Sequence, residues 1–242
     1  MHSRFAEKYL KCLGPGTAGT IKKIVSPVRY AFALLKGKLA AKLSGSGAGR
    51  LVFISGLPKS GTTWIEQMLV DYTGYVPIMP YKANFFEIRE KSSIHFQLDD
   101  AVIRPFVKGP FLLKMHIAAS RKSIETLRNR QLKYCIVFRD IRDAAVSYYF
   151  YVKHTPWHPE HPVYRSLSID AGMARFIDER LPEWLGWFDS WKSYWDDPAV
   201  LIVRYESLLA DTKLILSGVV EHFGLVKSDD KLDRVIRNHH FD

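Results

Sequence analysis

The stretch Leu51-Val-Phe-Ile-Ser-Gly56-Leu-Pro-Lys59-Ser-Gly61-Thr62-Thr63-Trp64 constrains this chain more than any other segment. A continuous apolar run, a loop holding two glycines and a proline, and a threonine-led helical run spell strand, tight turn and helix. That layout predicts a phosphate-binding loop, with backbone amides at Ser60 to Thr63 and the positive end of the following helix directed at an anion. The pattern for nucleoside triphosphates is G-x-x-x-x-G-K-[ST]. Gly56 and Gly61 keep its spacing, but Thr62 stands where the lysine belongs, and the lysine sits inside the loop at position 59. The departure argues against a triphosphate with magnesium.

Downstream, short apolar runs alternate with amphipathic segments. Strands are expected at Leu51–Ser55, Phe111–Met115, Tyr134–Phe138 and Val200–Val203, each continuously apolar, as for strands covered on both faces. Helices are expected at Thr63–Tyr72, Lys122–Arg130, Ile141–Val152, Asp170–Arg180, Glu183–Trp195, Ser207–Phe223 and Asp229–Asn238. Alternation of this kind predicts an α/β fold, a P-loop-type parallel sheet flanked by helices, with right-handed crossovers. Ligands gather at the carboxyl ends of the strands in such sheets. The aromatic stripe Trp184, Trp187, Phe188, Trp191 and Trp195 reads as core packing, with no binding role.

The net charge of +10 is unevenly placed. Residues 1–50 hold ten Lys or Arg and one acid, Glu7, whereas the remaining residues carry 25 basic and 24 acidic side chains. The high isoelectric point therefore describes an N-terminal arm and not the folded body, which argues against nucleic acid as a partner. The expected organisation is an arm and linker over 1–50 and a single domain over 51–242. Ser44-Gly-Ser-Gly-Ala-Gly49 reads as a flexible linker. Ser26 and Pro27 read as the cap and first position of a helix, along which Val28, Phe32, Leu35, Leu39 and Leu43 recur among Arg29, Lys36, Lys38 and Lys42. A helix of this type suits peripheral contact with an anionic membrane through residues 20–43; the alternatives are packing on its own domain, a loose basic tail or an organelle-targeting segment. Two distant cysteines, Cys12 and Cys135, suggest a reducing, cytoplasmic compartment.

Two further clusters carry chemistry. Arg139 ends the strand at Phe138, and Ser147 lies about two helical turns beyond it; an arginine and a hydroxyl converging on one anion suit a second phosphate. Arg142 and Asp143, between them, read as ordinary ion-pair residues. Lys114 and His116 stand two apart on one side at the end of a strand, where a histidine can take a proton from a hydroxyl. Lys59 would supply a cation close to a leaving group, Thr62 and Thr63 hydroxyl donors, and Trp64 a flat face for a base.

Together these motifs resemble the sulfotransferases that use PAPS (3′-phosphoadenosine-5′-phosphosulfate), in particular the cytosolic type acting on small molecules. The resemblance runs from residue 51 to the end. Pro58-Lys59-Ser60-Gly61-Thr62-Thr63-Trp64 matches that family's 5′-phosphosulfate loop, Arg139 and Ser147 its 3′-phosphate motif, and Lys114-Met-His116 its lysine-x-histidine site. Val203-Arg-Tyr205-Glu206 is similar to a strand-end motif whose tyrosine contacts the nucleotide, and Phe241 to an adenine-facing phenylalanine. The resemblance implies in-line transfer of a sulfuryl group to a hydroxyl or amine of a small-molecule or lipid-like acceptor. His116 would be the base, Lys59 and Lys114 would stabilise charge, and no metal would be required. The family's basic G-x-x-G-x-x-K segment is not found before Asp242, so an incomplete domain or weakened nucleotide affinity is expected. The aromatic stretches 77–98 (Tyr81, Phe85, Phe86) and 149–166 (Trp157, Tyr164) read as loops lining the acceptor pocket. His154, His158 and His161, with prolines among them and no cysteine, do not read as a metal site. Two alternatives remain: a non-catalytic nucleotide-binding or membrane-docked module, and a divergent P-loop kinase.

Overall fold

The computed structural model describes residues 15–43, 50–90, 92, 94–156 and 158–239; the side chains of residues 15–24 and of Ile88 are not part of the description. Trp157, Phe241, Cys12 and the linker at 44–49 therefore lie outside the described residues.

In chain order the elements are α1 (Pro15–Leu43), β1 (Val52–Gly56), α2 (Thr62–Thr73), β2 (Val76–Ile78), α3 (Tyr81–Glu90), α4 (Asp100–Ile103), β3 (Phe111–Met115), α5 (Arg121–Asn129), β4 (Tyr134–Phe138), α6 (Ile141–Lys153), α7 (His161–Tyr164), α8 (Ile169–Glu179), α9 (Leu181–Lys192), β5 (Val200–Arg204), α10 (Tyr205–Ala210), α11 (Thr212–His222) and α12 (Asp229–Asn238). The strands form one sheet in the order β2-β3-β1-β4-β5, with every pair parallel. From β1 the chain moves to one flank for β2 and β3, then crosses to the other for β4 and β5. Ligand crevices of open α/β sheets form at such a switch point.

The period-2 alternation of strand side chains sorts the core into two layers. Phe53, Leu113, Tyr134 and Ile136 point to one side, where they meet the helices carrying Ile124, Tyr148, Phe176 and Trp187. Val52, Ile54, Leu112, Cys135 and Val137 point to the other, against Ile65, Met68, Leu216, Val220 and Leu232 of α2, α11 and α12. Helices cover both faces, which is why the strands read as unbroken apolar runs.

Several sequence expectations are corrected. Residues 77–98 are not simply loop: Val76–Ile78 is an edge strand, and Tyr81–Glu90 is a helix. Tyr164 is core rather than pocket lining, 1% exposed and packed against Tyr148 and Tyr149. The single helix expected over Ser207–Phe223 is broken at Asp211, whose carboxylate accepts from the Leu214 amide and starts a new helix. The first helix begins at Pro15 and contains Pro27 in its interior, where the carbonyl four residues back loses its helical donor.

Helix α1 packs on β2 and α3. Tyr30, Ala33 and Leu34 settle against the core. A Cβ at Gly37 would lie 2.1 Å from the Phe111 ring, so the absence of a side chain lets the helix approach that closely.

Candidate active site

The loop after β1 is held in shape by its own polar groups. The Ser60 hydroxyl is shared between the carbonyls of Leu57 (2.5 Å) and Val137 (3.0 Å), and the Leu57 amide donates to Val137 O at 2.9 Å. The Ser60 amide donates to Leu57 O at 3.2 Å. Ser60 thus shapes the loop through both donors, and the amides left to face an anion begin after it. Those of Thr62 and Thr63 open α2, where a helix has no carbonyl to offer them. Lys59 is held at φ 65° and Gly61 at φ 81°. Left-handed backbone at a non-glycine costs on the order of 1–2 kcal/mol, a strain that clusters at functional sites. A Cβ at Gly61 would come within 2.6 Å of the Tyr205 ring.

Three cations converge around this loop from three adjacent strand ends. The Lys59 ammonium sits 4.0 Å above the Tyr151 ring of α6. Its pKa is lowered by burial first, then by the charges of Lys114 and Arg139, so both lie near enough to repel it. Lys114, at the end of β3, donates to Thr63 Oγ1 at 3.2 Å and approaches Glu66 at 3.3 Å. Arg139, just past β4, stacks its guanidinium 4.3 Å from the Tyr205 ring and reaches Asp143 at 3.7 Å. Its Nε is buried without a hydrogen-bond partner. A polar atom buried without a partner costs about 1–3 kcal/mol, and an anion accepted there would remove that cost. Ser147 follows Asp143 by four residues on α6 and Tyr151 follows by four more, so these three share one face. Arg139, just ahead of the helix, reaches that face through Asp143.

His116 stands beside Lys114. Its Nδ1 lies 2.6 Å from Gly56 O. A carbonyl can only accept, so Nδ1 carries the proton and Nε2 keeps its lone pair. Burial, then the Lys114 charge, push the imidazole down to about 4, with a smaller push from Lys59 and an opposing pull from the Gly56 bond. The ring is therefore neutral at physiological pH, with its free nitrogen poised to accept a proton.

The backbone that follows His116 is clamped. Ile117 O accepts from Ser55 Oγ (2.9 Å), Trp187 Nε1 (2.8 Å) and Trp191 Nε1 (3.1 Å). Ala118 N donates to Ile94 O and Ala119 N to Ser190 Oγ. Of the aromatic stripe, Trp184, Trp187 and Trp191 are core as expected, Phe188 is half-buried, and Trp195 lies past the end of α9 and is exposed. The indole N–H groups of Trp187 and Trp191 also hold the backbone next to His116, which spacing alone did not signal. Trp64, expected to offer a face to a base, is largely buried; its Nε1 donates to His239 O at 2.9 Å, and its ring meets Tyr205 edge-on. His161 Nδ1 donates to Val152 O, His158 Nδ1 accepts from the Glu160 amide, and His154 stacks on Phe150. A cleft of about 260 Å³ is lined by Tyr81, Lys82, Phe85, Phe86, Arg89 and Phe96.

The family model described as "Sulfotransferase domain" matches residues 50–242. Sulfotransferase 1E1 of Cavia porcellus is 24% identical over 200 residues, covering 78% of this chain and 63% of that protein. Sulfotransferase 1A1 of Rattus norvegicus is 24% identical over 201 residues, covering 78% and 65%. Among solved structures, mouse sulfotransferase SULT7A1 complexed with PAP superposes with a TM-score of 0.59 at 19% identity, covering 79% of this chain and 63% of that one. Retinol dehydratase in complex with androsterone and inactive cofactor PAP gives a TM-score of 0.52 at 15% identity, covering 78% and 64%. The chain thus spans under two thirds of the length of these relatives, and the structural likeness is one of fold.

Proposed function

The chain belongs to the sulfotransferase family, and from that premise we propose that it transfers a sulfuryl group from PAPS to the hydroxyl, or amine, of a small apolar acceptor. The observation that carries this reading is the cation cluster of Lys59, Lys114 and Arg139, two members of which, Lys114 and Lys59, press on a neutral His116. Three cations with few acids among them suit a polyanion, and the neutral base beside them suits removal of an acceptor proton.

The donor, when bound, supplies an activated sulfuryl group on a phosphate leaving group. The amides of Thr62 and Thr63 and the Lys59 ammonium would hold its 5′ end. Arg139, through its orphaned Nε, and Ser147, on the helical face of its contact Asp143, would hold the 3′-phosphate, and Tyr205 and Trp64 would border the nucleoside. His116 Nε2 would take the acceptor proton, a role that typically contributes about 10²- to 10⁴-fold in rate. Lys59 and Lys114 would act as fixed charges where negative charge grows. The same charges that depress His116 would be offset by a bound anion, so filling the donor site would strengthen the base.

The aromatic cleft at Tyr81, Phe85, Phe86 and Phe96 supports an apolar acceptor. It lies two residues along the chain from Ile94, whose carbonyl is bonded to Ala118 beside the His116 strand. A fold neighbour captured with androsterone is consistent with this chemistry. Calorimetry of 3′-phosphoadenosine-5′-phosphate against ATP with magnesium tests the donor site, and a preference for ATP overturns the reading. Labelled sulfate transfer to phenolic and steroid hydroxyls tests the reaction, with His116→Asn expected to lower turnover at least a hundredfold at unchanged nucleotide affinity, about the general-base contribution.

A further inference from the structure

We propose that the outer face of α1 docks the protein on an anionic lipid surface. On a helix of 3.6 residues per turn, Val25, Val28, Phe32, Leu35, Leu39 and Leu43 fall in one narrow stripe. All are exposed; Phe32 is 70% and Leu43 79% accessible. The same helical geometry puts Arg29 and Lys36 along one border of the stripe and Lys38 and Lys42 along the other, and all four side chains are exposed. The opposite side of the helix, with Tyr30, Leu34 and Gly37, is the face already seated on the core. The stripe therefore points away from the body and has no partner within it among the described residues.

Charge decides what covers it. No Asp or Glu occurs between Glu7 and Glu66, so the basic borders have no acid nearby in sequence. A second copy placed across a twofold axis would set the same apolar stripe on itself and bring its lysine rows together. A bilayer with anionic headgroups accepts the apolar stripe and meets both basic borders with opposite charge. No helix among the described residues is long and apolar enough to cross a membrane, so the helix would lie in the interface plane. The described stripe from Val25 to Leu43 would then occupy about 27 Å along its axis.

The experiment is flotation of the full chain with vesicles of phosphatidylcholine containing phosphatidylserine and with vesicles of phosphatidylcholine alone, at low and high salt. Recovery is expected with the anionic vesicles at low salt and is expected to fall on the neutral ones. Each basic residue removed should weaken partitioning about fivefold, so Lys36→Ala/Lys38→Ala/Lys42→Ala should lose on the order of a hundredfold. Phe32→Glu/Leu39→Glu should abolish binding while leaving thermal unfolding and nucleotide binding as in the parent. Equal recovery on neutral and anionic vesicles overturns the proposal. So does a stable dimer in light scattering that Phe32→Glu/Leu39→Glu dissolves. If the glutamate pair fails to fold, the lysine triple, altered only at exposed side chains, decides the question alone. The proposal is independent of the catalytic reading, since neither set of changes touches the loop or His116.

Discussion

Replacing Gly61 by alanine tests how tightly the loop is built. The residue sits at φ 81°, where an L-residue pays on the order of 1–2 kcal/mol. The new methyl would also stand 2.6 Å from Tyr205 Cδ2. That ring cannot swing aside freely, because Arg139 lies over it and Trp64 meets its edge. Overpacking of this kind costs about 1–3 kcal/mol, so the total destabilisation should be about 2–5 kcal/mol, a large part of a typical domain's stability. The two contributions are separable. In Gly61→Ala/Tyr205→Ala the ring is gone and the collision with it, while the backbone strain stays. Urea unfolding of parent, both single variants and the double variant should therefore give a coupling of about 1–3 kcal/mol in the relieving direction, at unchanged denaturant slope. Additivity within about 0.5 kcal/mol would refute the claimed close approach. A cost well under 1 kcal/mol for Gly61→Ala alone would refute the left-handed turn as well.

Three other outcomes are expected. His116 has a folded pKa of about 4 against an ordinary 6.5, so between those values the native state binds fewer protons than the unfolded chain. Stability should fall as pH drops from about 6.5 to 4, by up to about 3 kcal/mol and less for a ring that keeps some solvent contact; His116→Asn, which can still donate to Gly56 O, should remove that slope, and a slope unchanged in urea unfolding across this range would contradict the assignment. Trp187→Phe leaves Ile117 O with two of its three donors and should cost about 1 kcal/mol, lowering kcat more than KM in the sulfate-transfer assay, whereas a purely packing role predicts unaltered kinetics. Arg139→Gln should erase the preference for 3′-phosphoadenosine-5′-phosphate over the same nucleotide lacking its 3′-phosphate, a loss of about 10- to 100-fold by calorimetry, and a retained preference would move the 3′ site elsewhere.

The places of the candidate site residues were legible because each sits at or just past the carboxyl end of a strand read from an unbroken apolar run. Lys59, Lys114, His116 and Arg139 follow from that rule, Tyr205 was found only through the family resemblance, and parallel pairing brings their strand ends side by side. Less visible were elements held by neighbours rather than by their own pattern. Strand β2 is three residues long with Pro77 in the middle, a composition that reads as turn and is tolerated only at an edge. Helix α3 lacks a clean stripe, being rich in aromatics that face both the core and the cleft. Asp211 was a readable cap, masked by apolar residues on both sides of it. Hydrogen bonds to main-chain carbonyls left no trace in the spacing. The hold of Trp187, Trp191 and Ser55 on Ile117 O joins residues up to 74 apart in sequence, and the Ser60 hydroxyl spends itself on the loop rather than on an anion.

The position of β1 in mid-sheet has a consequence for how the molecule opens. Every residue of that strand is buried and its edges are bonded to β3 and β4, so its amides can reach solvent only when the whole sheet comes apart. The phosphate loop hangs from this slowest-opening strand, and hydrogen exchange at Phe53 to Gly56 should report the global unfolding free energy. Helix α1 instead rests at the β2 edge of the sheet, against β2 and α3, and can lift away in a smaller, cheaper fluctuation. Deuterium would then enter the arm long before it enters the strand beneath the loop, and a protein tugged at its N-terminus would yield there first, with the chemistry still assembled.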